Sequence, residues 1–184
     1  MNPWNLPTSA TIGGTVYPIH ADFRDILEIF RHLNDPEQPE YVRWQIALAL
    51  FYEGPIPPEH TQEALDFFIS FISYGSRPSS NGPRLLDWDR DAQVILADVN
   101  KAAGTEIRAL PFVHWWTFLS WFHAIGEGQL STLISIREKL RTGKKLEPWE
   151  QDYYRKNRDT VNLSRQYTPE ELAEQERLKK LLGQ

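Results

Sequence analysis

The chain has 184 residues, no cysteine and a formal net charge of −5. The lack of cysteine excludes disulfides, zinc–thiolate centres and cysteine nucleophiles, and the acidic balance disfavours broad nucleic-acid binding, which needs cationic surface to displace counterions. Hydrophobic residues make up 41% of the chain and aromatics 12%, enough for one domain with a substantial core, or one domain with an appendage. No apolar run approaches the ~20 residues that span a bilayer. The opening Met1-Asn-Pro-Trp-Asn-Leu-Pro lacks the basic and apolar regions of a secretory signal, so a reducing cytoplasm is the expected compartment.

In chain order, Thr11-Ile-Gly-Gly-Thr-Val-Tyr predicts a β-hairpin, with Gly13-Gly14 supplying the positive φ angles of a two-residue turn. Phe23, Ile26, Leu27, Phe30 and Leu33 then follow helical spacing, which predicts an amphipathic helix over 22–33, capped by Asp22 and ended by Asp35-Pro36. A second helix is expected from Pro39 to Glu53, with Tyr41, Trp44, Leu48 and Phe51 on one face and Gly54-Pro55 as its stop. A third, Glu59 to Tyr74, has apolar residues nearly all round and is expected to be buried on more than one side. Residues 75–83 are rich in Gly, Pro, Ser and Asn and predict a loop. Asp87 is placed to cap a fourth helix that ends at Gly104.

The densest aromatic stretch is Leu110 to Phe122, which holds three of the seven tryptophans and three of the nine phenylalanines. Each such ring buries on the order of 150–250 Å², so a central helix is expected from about Pro111 to Ala124, with proline in its first turn. Trp115, Leu119 and Phe122 share one stripe and are expected in the core. Helices over 130–141 and 148–157 follow, then a last one from Thr168 to Leu182 that opens on the capping box Thr168-Pro-Glu-Glu171. The expected fold is mainly α: a compact bundle of six to eight helices with a short N-terminal β-hairpin. A helical core domain spans 1–143, and 144–184 forms a charged helical C-terminal appendage, mobile or loosely docked.

The sequence offers little for catalysis. Asp87-x-Asp89-x-Asp91 resembles the start of a calcium loop, yet Ala92 and Asp98 stand where such a loop needs glycine and glutamate. The five histidines form no metal pair, and His114 and His123, nine apart, fall on opposite sides of a helix. Neither a nucleophile elbow, a dinucleotide fingerprint nor a phosphate loop is present. The expectation is a protein with no catalytic, cofactor-binding or metal-binding residues. The appendage carries Trp149, Tyr153 and Tyr154 beside Arg155, Lys156 and Arg158, followed by Leu178 and Leu181. Aromatics flanked by arginine are common interface anchors, which makes these five residues the candidate partner-binding set.

Four segments occur in a suggestive order: Tyr17-Pro-Ile-His-Ala-Asp22-Phe23-Arg24, Leu86-Asp87-Trp88-Asp89-Arg90-Asp91-Ala92, His114-Trp115-Trp116-Thr117-Phe118, and Ile136-Arg137 before a basic helical tail. Together they resemble the bacteriophage tail assembly chaperone-like family of long-tailed phage and prophage tail cassettes. The resemblance marks Asp22, Arg24, Asp87, Trp88, Asp91, His114, Trp115, Trp116 and Arg137 as motif residues, and these polar groups are expected to cap helices and make charge-assisted hydrogen bonds. It implies a non-enzymatic role in the host cytoplasm, holding the tape-measure protein soluble during tail morphogenesis, with other tail proteins or a second copy as further partners and no membrane association. A structural virion protein, such as a tail-completion or connector subunit, is the alternative, and a small enzyme is a third reading.

Overall fold

A computed structural model describes residues 4–74 and 85–163 of the chain. The loop expected at 75–83, the helix expected at 168–182, and Leu178 and Leu181 lie outside the described residues. Among the described residues the fold is mainly helical, with eight α-helices and one two-stranded antiparallel hairpin.

Strands β1 (Ser9–Ile12) and β2 (Thr15–Pro18) pair with Ile12 opposite Thr15. Gly13 and Gly14 make the turn at φ 56° and 79°, angles that cost a residue with a Cβ. Ala10 and Ile12 point inward and are buried, while Ser9 and Thr11 face out. A hairpin alone is marginal in water, and this one is anchored: the Gly13 N–H donates to Glu63 Oε2 at 2.9 Å, and Glu53 N–H donates to Pro18 O at 2.9 Å.

Helix α1 (Phe23–Leu33) starts where expected, with the Asp22 side chain accepting from Arg24 N–H. It packs on α2 (Glu40–Phe51), whose inner side buries Ala47, Leu48 and Phe51. Tyr41, at the edge of the expected apolar face, is 68% exposed. Apolar residues surround α2 on all sides, so spacing alone does not choose its inner face. A 3₁₀ turn (Pro58–His60) leads into α3 (Thr61–Ile72), which buries Ala64, Phe68 and Phe71.

Two helix starts differ from expectation. Helix α4 (Ala92–Ala103) is preceded by Asp91, not Asp87. Asp87 caps the turn before it, its Oδ1 accepting from Asp89 N–H and Arg90 N–H at 3.0 Å each. Gly104 ends α4 in the left-handed region. Helix α5 (Trp115–His123) begins four residues later than Pro111. The reason lies in the backbone of 113–115, which is engaged by 21–23: Phe23 N–H donates to Val113 O at 2.9 Å and Trp115 N–H to Ala21 O at 2.7 Å. Pro111 is therefore exposed, extended lead-in rather than first turn.

Helices α6 (Gln129–Arg141), α7 (Pro148–Lys156) and α8 (Arg158–Val161) complete the order. The main core lies where α1–α5 and the hairpin meet, around Phe51, Phe68, Phe71, Trp115 and Phe118. A second, smaller cluster of Leu133, Ile136, Leu146 and Val161 lies between α6 and the α7–α8 segment, with Tyr153 and Tyr154 packed against it. Residues 144–163 thus share apolar contacts with α6. None of the described helices is long and apolar enough to cross a membrane.

Candidate functional site

The motif residues converge on three junctions. At the first, Asp22 joins the start of α1 to the lead-in of α5. One carboxylate oxygen takes Arg24 N–H and the other takes Val113 N–H, each at 2.9 Å. Arg24 Nη1 donates to both oxygens at 3.0 Å, and Nη2 reaches the carbonyls of Ile107 and Leu110 at 3.2 and 2.7 Å. A fork of donors beside a carboxylate matches guanidinium geometry. Here it holds two chain segments more than eighty residues apart.

At the second junction, His114 is the N-cap of α5. Its Nδ1 accepts from Trp116 N–H at 3.0 Å, and its Nε2 is 2.9 Å from Pro7 O. The pairing fits one neutral tautomer, with Nε2 donating and Nδ1 accepting. Burial lowers the His114 pKa, with the Pro7 carbonyl opposing. The two following indoles clamp the end of α3: Trp115 Nε1 donates to Ile72 O at 3.1 Å and Trp116 Nε1 to Phe71 O at 2.8 Å. Carbonyls in a last helical turn lack intrahelical partners; the Trp115 bond satisfies Ile72 O, and the Trp116 bond adds to that of Tyr74 N–H on Phe71 O at 3.2 Å.

At the third, Asp91 and Arg137 form a bidentate ion pair at 2.6 and 2.8 Å, with side chains 0% and 4% exposed. The guanidinium also donates to the carbonyls of Leu85, Thr160 and Val161 at 2.6–2.9 Å. Trp88 lies half-buried between the junctions, its ring 6.3 Å from Phe30, 6.1 Å from Trp115 and 5.2 Å from Phe122. Of the expected core stripe, Trp115 and Leu119 are buried and Phe122 is half-buried.

The apparent calcium pattern is dispersed by these pairings: Asp87 serves its turn, Asp89 accepts from Arg31 Nη2 at 3.0 Å, and Asp91 serves Arg137. Among the described residues, no group of three or more His, Asp or Glu could hold a metal ion. Of the candidate partner-binding set, Trp149 is 57% exposed on α7, whereas Tyr153 and Tyr154 are half-buried over the smaller cluster. The three therefore do not make one open aromatic patch.

Sequence reasoning missed other groups. Asp98, buried on α4, accepts Leu130 N–H at 2.8 Å and so satisfies the first turn of α6. Lys139 Nζ donates to both oxygens of buried Glu150 at 2.7 Å, and this hydrogen bond holds the Glu150 pKa below its ordinary value. The outer face of α2 was also missed: Tyr41, Gln45 and Ala49, spaced four apart, are exposed along it without a charged residue among them. Beside it, a groove of 580 Å³ is lined chiefly by Leu48, Ala49, Tyr52, Pro55 and Ile56.

A family profile described as Bacteriophage Gp15 protein matches residues 4–163. No curated protein and no solved structure matches the chain.

Proposed function

The chain belongs to the bacteriophage Gp15 protein family, and on that premise we propose that it is a tail assembly chaperone that binds the tape-measure protein during tail morphogenesis in the host cytoplasm. The observation that carries the reading is the outer side of α2, which leaves Tyr41 and Ala49 uncovered beside an apolar groove. A tape-measure protein is a long, largely helical chain whose apolar stripes need cover before the tail tube forms around it. Reversible cover of that kind is what an exposed apolar helix face provides. The motif carboxylates, guanidinia and histidine are engaged in joining the protein's own segments, which favours a binding role over an enzymatic one.

The composition of purified phage particles tests this. A chaperone acts and leaves, so mass spectrometry of gradient-purified virions is expected to find the tape-measure protein and not this chain. Its presence in fixed, stoichiometric copies would overturn the reading in favour of a structural subunit, such as a tail-completion or connector protein.

A further inference from the structure

We infer that the outer face of α2, together with the groove beside it, seats one amphipathic helix of a partner protein whose aliphatic stripe is flanked by lysine and arginine. The inference rests on the chaperone reading and names the surface and the chemistry it would use. Helix α2 is apolar on two sides. Trp44, Ala47, Leu48 and Phe51 turn toward α1 and the core, Val42 and Ile46 lie on the opposite side, and Tyr41, Gln45 and Ala49 run along the exposed flank between the two. A helix that is apolar all round is ordinarily buried all round, and this one is not: Tyr41 is 68% and Leu50 38% exposed.

Shape and charge select the occupant. Tyr41, Gln45 and Ala49 form an i, i+4 ridge, the pattern that interleaves with the ridges of another helix. Ala49 and Gln45 also border the 580 Å³ groove, so the small alanine leaves room for a larger side chain to enter it. The face itself is uncharged, yet the chain leading into and out of α2 is acidic. Residues 34–63 carry six carboxylates (Asp35, Glu37, Glu40, Glu53, Glu59 and Glu63) against one arginine. That arginine, Arg43, is half-buried and donates to Leu33 O at 2.9 Å. A second copy would bring like charges together around the same face, which is unfavourable, whereas a helix with cationic flanks gains by approaching.

The test is co-expression of the full-length chain with the tape-measure protein of the same tail cassette, reading the fraction of tape measure that stays soluble. Tyr41→Glu and Ala49→Glu place a carboxylate on the exposed face, and thermal melting of each variant checks that the fold is intact. The expected result is soluble tape measure with the wild type and a loss of about tenfold with each variant, as for an interaction weakened by ~1.4 kcal/mol. Leu140→Glu, which alters the separate cleft lined by Leu85, Val161 and Leu163, is expected to behave as wild type. Full solubility with both α2 variants would overturn the inference and leave the chaperone reading standing, as would a loss confined to Leu140→Glu. Failure of the wild type itself would remove the reading and this occupant with it. A drop in the mass of the isolated protein caused by the α2 variants, measured by sedimentation, would make the face a self-interface and also overturn the inference.

Discussion

At the scale of single residues, the most consequential group is Arg137. Every nitrogen of its guanidinium is engaged, by Asp91 and by three backbone carbonyls, and its side chain is 4% exposed. A buried pair of this kind adds little net stability over an apolar pair of the same shape, because both ions must be stripped of water. Removing one partner is different, since it strands the other charge. Asp91→Asn and Arg137→Met are each expected to lower unfolding stability by about 3–5 kcal/mol, with the Asp91→Leu/Arg137→Met double variant losing less than the sum. Urea titrations of the three variants check this. Losses below about 1 kcal/mol for both single variants would mean that water reaches the pair.

At the scale of elements, α5 depends on a cap that titrates. The His114 side chain can accept from Trp116 N–H only while Nδ1 is unprotonated, and burial holds its pKa below the ordinary 6.5. The unfolded chain therefore binds the proton more readily than the folded one. Stability from this cap is complete above the ordinary value and is lost as pH falls through the lowered one. The urea midpoint is expected to fall between about pH 7 and pH 5. In His114→Asn, whose amide caps without titrating, that part of the pH dependence should vanish. An unchanged pH profile in the variant would assign the loss to other groups. The same element shows where sequence reading stops. The hairpin, α1, α3, α6 and α7 were legible because their signals are local: a Gly-Gly turn, an aspartate cap, a run of apolar spacing. The start of α5 is set by Val113 and Trp115 pairing with residues 90–94 positions earlier, and at the start of α4 the Asp91 carboxylate serves Arg137 in place of a cap. Those partners have no local signature. The motif positions stood out in the sequence as helix starts and aromatics, but which of them touch was decided by the tertiary fold. The outer face of α2 was hidden by the very uniformity that makes it a surface of interest.

At the scale of the molecule, the two apolar clusters set how the chain tolerates shortening. Leu133 and Ile136 are both 0% exposed because Leu146 and Val161 cover them. A boundary drawn at 143 cuts through that cluster, frees Lys139 from Glu150 and deprives Arg137 of its acceptors on Thr160 and Val161. A chain of residues 1–143 is expected to be about 3 kcal/mol or more less stable than the full protein, and to bind a hydrophobic dye. A chain of residues 1–163 keeps every contact described above and should unfold at a higher midpoint than 1–143. Equal midpoints for 1–143 and the full chain would show that the smaller cluster is dispensable.

The junction between the ends of the main core also dictates an order of events in time. The Pro7 carbonyl meets His114, 107 residues later, and Asp22 meets Val113, 91 residues later. A ribosome delivers the N-terminal hairpin and α1 first. Their closing partners emerge only after more than half the chain has been made, and pairing across such distances is slow to close. For that interval Phe23 and Phe30 of α1 and Phe71 of α3 lack the rings of Phe118, Trp115 and Trp116 that pack on them. The nascent protein thus passes through a period of apolar exposure of the same kind as that of the partner proposed for it.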